Sequence, residues 1–169
     1  MKPTKPHNSQ RGLFSWLLYD EIEKNKNIHL ISVDLGFGQW DAIRDDFPDQ
    51  ITITGASEQG AMDVAIGMTL AGKTVFIYSI TPFLIYRPFE ALRTYINYES
   101  IPVHLIAGGR QKDYASDGFS HDACDVKFFL NGFENIDQYY PKTMLLEEMQ
   151  GILRKMLENN RASFVCLKR

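Results

Sequence analysis

The sequence predicts an α/β domain: an open, mainly parallel six-stranded sheet with helices on both faces. Three observations carry this. Apolar runs of strand length alternate with helical periodicity along the chain. Some of those runs, such as "KTVFIYSI" (73–80), are apolar at nearly every position, as in strands buried on both faces. The loops after the runs, "GFGQWD", "GASEQG", "TPFLIYRPF" and "GGRQKDYASDGFSHD", are the richest in polar and aromatic residues. In an open parallel sheet, loops at the strands' carboxyl ends hold the ligand.

Each element follows in order. Residues 1–11 form a flexible N-terminal arm, where Pro3 and Pro6 oppose regular structure, and the domain spans 12–169. Leu13, Phe14, Leu17, Leu18 and Ile22 have helical spacing and predict a helix over 12–26. A strand over 28–35 ends at Gly36 and Gly38, a short helix covers 39–46, and "ITIT" (51–54) is the second strand. The helix over 57–71 is apolar on most sides and is expected to be well buried, with Gly72 to stop it. A third strand covers 73–80, then a helix 83–99, with Pro88 as kink or start. A fourth strand covers 101–108. A Gly- and Asp-rich loop spans 109–120, and a helix is expected over 121–130. "NIDQYY" is the fifth strand, 145–159 the last helix and "ASFVCLK" the last strand.

A chain of 169 residues is of one-domain size and can bury roughly 70% of its unfolded surface. Its net charge of -3, with no Lys/Arg run longer than two, argues against nucleic acid or an anionic membrane as main partner. Cys124 and Cys166 form no CxxC pair and are expected as free thiols in a reducing compartment. "MKPTKPHNSQRG" lacks the apolar core of a signal peptide, and no apolar run approaches membrane-spanning length. These features predict a cytoplasmic protein.

Several residues carry two readings. Glu58 stands in the first helical turn after a strand. Such a carboxylate ordinarily answers the exposed amides and dipole of the helix, but it also stands where a ligand would bind. Phe83, Tyr86 and Phe89, at i, i+3 and i+6, ordinarily make a core-facing stripe. "GFGQWD" has Asp41 where a dinucleotide loop needs a third small residue, and is a turn. "HDACD" has nothing at zinc spacing to pair with it, so no metal site is assigned. His29 and His104, inside apolar strands, are expected as satisfied core histidines, and His7 lies in the arm.

Four stretches together tip the balance: "FPDQITITGASEQGAMDVAIGMTLAGKTVFIYS", "PFLIYRPFEALR", "IPVHLIAGG" and "SDGFSH". In this order and spacing the chain resembles the pyrimidine-binding domain of transketolase-type thiamine diphosphate enzymes. 1-Deoxyxylulose-5-phosphate synthases and the β chains of 2-oxo acid dehydrogenases share the pattern. The resemblance implies that Glu58 hydrogen-bonds N1′ of the cofactor's aminopyrimidine, favouring the imino tautomer that removes the thiazolium C2 proton. It places Phe83 stacked on the aminopyrimidine, with Tyr86 and Phe89 lining the pocket. Arg87 joins this cofactor-binding set, with substrate contact or a carboxylate ion pair as alternatives. Asp117 and His121 would touch substrate, with His121 able to shuttle a proton. Arg110 would bind a substrate phosphate.

In the family a separate domain holds the diphosphate and Mg²⁺ through a G-D-G motif, which this sequence lacks. The resemblance therefore implies the small subunit of a split, transketolase-like transferase. It would act on sugar phosphates or related ketoses once a diphosphate-binding subunit completes it, as a homodimer or heterotetramer. The alternatives are a non-catalytic dimerisation or regulatory module, or part of a 2-oxo acid dehydrogenase β chain.

Overall fold

The computed structural model describes residues 2–34, 36 and 38–169. Leu35, where the first strand is expected to end, and Phe37 of "GFGQWD" lie outside them. Six strands form one sheet in the order β2-β1-β3-β4-β6-β5: β1 (Ile28–Val33), β2 (Ile51–Thr54), β3 (Thr74–Ile80), β4 (His104–Gly108), β5 (Ile136–Tyr139) and β6 (Ala162–Leu167). Every pairing is parallel, with Leu30 opposite Ile51 and Phe76 opposite His104. The chain runs outward from β1 to β2, then returns to lay β3 on the other side of β1. The sheet therefore has a topological switch point where β1 meets β3, and ligands bind beyond the carboxyl ends of the strands there.

The period-two pleat divides the core into two layers. Leu30, Phe76, Tyr78, Ile106 and Val165 face α1 (Gln10–Lys24) and α7 (Leu146–Glu158), where they meet Phe14, Leu18, Met149 and Met156. Ile31, Val33, Val75, Ile77, Leu105 and Phe164 face the other side, against α3 (Glu58–Leu70) and the segments after β3. Among the described residues no helix is long and apolar enough to cross a membrane.

Four element expectations need correcting. First, α1 begins at Gln10, because the Ser9 side chain caps it by accepting from the Gly12 amide. Residues 2–9 also make contacts of their own. The Trp16 indole donates to the Pro3 carbonyl, and the Lys2 ammonium lies 3.5 Å from the Trp16 ring. Second, α3 is buried along one face only, through Ala61, Met62, Ala65 and Ile66, while Val64 and Leu70 on its outer side are exposed. Third, the helix over 83–99 is three pieces: α4 (Thr81–Tyr86), a short α5 (Phe89–Ala91) and a π-helical stretch, Leu92–Tyr98. Pro88 lacks an amide proton and breaks the ladder between α4 and α5. Fourth, the helix over 121–130 shortens to α6 (Val126–Leu130). Its expected first turn is taken by an antiparallel bridge between Gln111 and Ala123, with the Ala123 amide donating to the Gln111 carbonyl at 2.9 Å. A short helix, α2 (Asp41–Asp46), follows Trp40.

Two polar residues tie the frame together. Gln50 is buried, and its amide nitrogen donates to the carbonyls of Ile22, Asn25 and Ile28, clamping the α1–β1 turn to the start of β2. Gln50→Leu leaves these acceptors without their donor and should lower stability by about 1–3 kcal/mol, read by urea unfolding.

His104 is buried in β4, its Nδ1 at 2.8 Å from the Ser163 hydroxyl, and His29 lies at 2.9 Å from the Thr52 hydroxyl. Burial pushes His104 down to about 4, and His29 moves the same way through burial and then Lys73. A histidine held below its unfolded value favours unfolding as acid is added. Its stabilising share is complete above about pH 6.5 and disappears as pH falls towards about 4. For His104 alone the loss is about 2 kcal/mol by pH 5. Denaturant midpoints measured from pH 7.5 to 5 should fall, and His104→Gln should flatten the slope.

Candidate active site

The site is built where β2 and β3 end. Ser57 precedes α3, so Glu58 occupies that helix's first turn and faces inward; it is 2% exposed. The Ser79 hydroxyl, fully buried, donates to Glu58 Oε1 at 2.9 Å. Ser79 lies two residues after Ile77 on β3, so the pleat turns it to the α3 side of the sheet. Glu58 Oε2 accepts from the Arg87 guanidinium at 2.5 Å. The two partners differ in exposure: the Glu58 side chain is 1% exposed and that of Arg87 45%. A buried carboxylate with a charge-assisted partner and a hydroxyl donor meets the requirement that buried charge be paired and hydrogen-bonded.

Phe83 continues the constellation from α4. The Arg87 guanidinium carbon lies 3.9 Å from the centre of its ring. The His121 ring meets Phe83 edge-on at 4.8 Å between centroids. Beyond His121 come Tyr114, at 6.1 Å ring to ring, and Arg11, which donates to the Tyr114 hydroxyl at 2.8 Å. One contiguous line therefore runs from Ser79 through Glu58, Arg87, Phe83 and His121 to Tyr114 and Arg11.

The loop that carries His121 leaves β4 through Gly109, whose φ of +87° suits glycine. A Cβ there would stand 2.2 Å from the Tyr114 ring, so glycine also makes room for the tyrosine that backs His121. The Thr81 hydroxyl donates to the Gly109 carbonyl at 2.5 Å, fixing where the loop departs.

The remaining site candidates lie apart from this line. The Tyr86 hydroxyl donates to Asp125 at 2.6 Å, and its ring packs edge-on against Phe129. Burial and then Asp125 push its phenol well above the usual range. Phe89 packs on Phe133 at 5.6 Å and Phe129 at 6.4 Å and joins the core layer. Arg110 directs its guanidinium at main-chain carbonyls, those of Pro141 at 3.0 Å and Cys166, while its own amide donates to Asp113. Asp117 is exposed, at the end of a helical turn spanning Ala115–Asp117. Among the described residues no group of three or more His, Cys, Asp and Glu side chains could hold a metal ion.

Three residues on the line were not anticipated. Ser79 had a signal, a hydroxyl inside the otherwise apolar run "KTVFIYSI" at its carboxyl end. Tyr114 and Arg11 had none, since their meeting depends on the path of the 109–123 loop and on α1 starting at Gln10.

The arrangement suits a flat, weakly basic heteroaromatic ring. Phe83 has a stacking face and Glu58 a carboxylate oxygen, Oε2, both engaged by the Arg87 guanidinium. Both fit the aminopyrimidine of thiamine diphosphate.

A family model described as "Transketolase, pyrimidine binding domain" matches residues 9–169. The chain is 26% identical over 130 residues to a putative transketolase C-terminal section of Methanocaldococcus jannaschii, covering 73% of this chain and 41% of that one. It is 29% identical over 98 residues to one subunit of the apulose-4-phosphate transketolase of Actinobacillus succinogenes, covering 58% of this chain and 32% of that one. The chain thus spans less than half the length of these two relatives. Among solved structures, an inactive β4 tetramer of a split-gene transketolase superposes with a TM-score of 0.82 at 23% identity, over 95% of this chain and 51% of that one. Transketolase from Campylobacter jejuni gives 0.84 at 16% identity, over 99% and 27%.

Proposed function

The chain belongs to the transketolase pyrimidine-binding-domain family, and from that premise we propose that it is the small subunit of a split, thiamine diphosphate-dependent transferase. The carrying observation is Glu58, a carboxylate buried at the carboxyl end of the sheet and linked through the Arg87 guanidinium to the ring of Phe83. The names of its relatives, one a transketolase subunit and the other a C-terminal section, support a role as one part of a divided enzyme.

Thiamine diphosphate supplies the carbanion and the electron sink of such chemistry. Glu58 would hold the pyrimidine N1′ by sharing a proton with it, while the Ser79 hydroxyl holds Oε1 and leaves Oε2, which Arg87 now engages, as the oxygen for that contact. Phe83 fixes the plane of that ring by stacking. His121, edge-on to Phe83, is set to hydrogen-bond a substrate hydroxyl or carbonyl. Asp117, on the same loop and exposed, would reach a polyhydroxylated substrate. Tyr86 and Phe89 support the pocket wall through Phe129 more than they line it. Arg110 ranks below His121 and Asp117 as a substrate contact, because two of its guanidinium nitrogens already donate to carbonyls.

A diphosphate-binding partner would hold the diphosphate and Mg²⁺. The uncovered Val64 and Leu70 on α3 support the burial of that face in an assembly, of which a heterotetramer is the form proposed. The donor is a ketose or its phosphate, and the reaction a two-carbon ketol or acyl transfer. Turnover assays with ketose phosphate donors and aldose phosphate acceptors test this. Turnover should require both subunits, whereas turnover by this chain alone would overturn the proposal.

A further inference from the structure

We infer that Arg87 is a built-in stand-in for the cofactor's pyrimidine, holding the pocket closed until thiamine diphosphate displaces it. The inference rests on the assignment of Glu58 and Phe83 to the aminopyrimidine. It deepens that assignment by making Arg87 a competitor of the ring, not a ligand to it.

The geometry carries the argument. A bound aminopyrimidine needs two contacts here, a hydrogen bond to the free oxygen of Glu58 and a face of Phe83. The Arg87 guanidinium makes both at once, at 2.5 Å from Glu58 Oε2 and 3.9 Å from the Phe83 ring centre. Guanidinium is planar, delocalised and weakly hydrated, so it stacks on an aromatic face as a heteroaromatic ring does. Because one group reaches both partners, the Phe83 face turned towards Glu58 is the face it covers. The pyrimidine and the guanidinium exclude each other there.

Burial explains why a stand-in is useful. Glu58 is 2% exposed, and a buried carboxylate left with a single hydroxyl donor is strongly destabilising. Ser79 remains in either state, and the second partner is Arg87 before binding and, after it, the pyrimidine N1′ together with a proton taken up from solvent and shared between the two. Position makes the exchange feasible. Arg87 sits at the break between α4 and α5, just before Pro88, and its side chain is 45% exposed. It can swing into solvent without disturbing the core.

A stand-in that occupies the pocket most of the time lowers apparent affinity by the fraction of time the pocket is open. Occupancy of about nine-tenths weakens binding about tenfold. The test titrates the full chain with the free aminopyrimidine half of thiamine, 4-amino-5-hydroxymethyl-2-methylpyrimidine, followed by ligand line broadening. Arg87→Gln should bind it about tenfold more tightly than wild type, and Phe83→Leu should weaken binding in both backgrounds. In wild type, the guanidinium proton resonances of Arg87 should be slow to exchange with solvent, and should become fast as the pyrimidine is added. This second readout needs no variant, so it stands even if Arg87→Gln folds poorly.

Weaker binding by a folded Arg87→Gln, or guanidinium protons that stay protected when the pyrimidine is bound, would make Arg87 a cofactor contact and overturn the inference. If the pyrimidine binds wild type and Arg87→Gln alike but is insensitive to Glu58→Ala and Phe83→Leu, the site assignment itself falls, and the inference with it.

Discussion

Glu58→Gln should lower turnover of the assembled enzyme by roughly 10²–10⁴-fold while leaving the fold intact. The substitution is close to isosteric. The amide oxygen still accepts from Ser79, so the buried end of the side chain keeps its hydrogen bond. Arg87 loses its carboxylate, but its half-exposed side chain can turn to water. On the proposed mechanism, the lost property is the carboxyl group's ability to share a proton with the pyrimidine, and with it the shift towards the imino tautomer. Two readouts separate chemistry from stability: kcat with the partner subunit present, and the urea midpoint of this chain. A collapse of kcat with a stability loss under about 2 kcal/mol is the expected pattern. Near-normal turnover would remove Glu58 from the mechanism and return it to the role of a helix-start carboxylate.

Phe83→Ala should weaken thiamine diphosphate binding to the complex by roughly 10–100-fold, since stacking of a heteroaromatic base on an aromatic side chain is worth about 1–3 kcal/mol. The lower end is the better expectation. The same substitution removes the platform on which the Arg87 guanidinium rests, so the competing closed state weakens too. His121 also loses its edge-on neighbour. KM for substrate should therefore rise along with the cofactor dissociation constant. Unchanged cofactor affinity in both the wild-type and the Arg87→Gln background would mean that Phe83 serves packing alone.

The architecture was legible because it is written in periodicity. Near-continuous apolar runs at 28–33, 74–80 and 162–167 mark strands buried on both faces, and glycines and polar loops separate them. The breaks were harder to see. Pro88 was visible as a kink, but the π-helical stretch beyond it depends on how Leu92 and Ile96 pack into the core. The outer side of α3 reads as core because Leu70 follows Met68 and Thr69 in an apolar helix, and nothing in one chain's sequence says what covers it.

The candidate site divides in the same way. Glu58 stands out as a carboxylate in the first turn after a strand, whereas Phe83 is singled out only by the family resemblance. The contacts among them could not be read, because they span the ends of separate elements. Arg87 is the clearest example. The sequence leaves its partner open among cofactor, substrate and carboxylate, and the structure brings it to Glu58 and Phe83 together. Arg110 shows the converse: a cation at a suggestive spacing whose guanidinium turns inward to the Pro141 and Cys166 carbonyls.

The central claim is that this chain supplies the pyrimidine half of a shared cofactor site. Calorimetric titration with thiamine diphosphate and Mg²⁺ tests it most directly, on the complex co-purified with a transketolase-type diphosphate-binding subunit and on this chain alone. Tight binding to the complex, far weaker binding to the chain alone, and loss of the tight mode in Glu58→Ala is the predicted result. A complex that assembles but ignores the cofactor, or binds it equally well with Glu58→Ala, would contradict the claim and favour a non-catalytic assembly module.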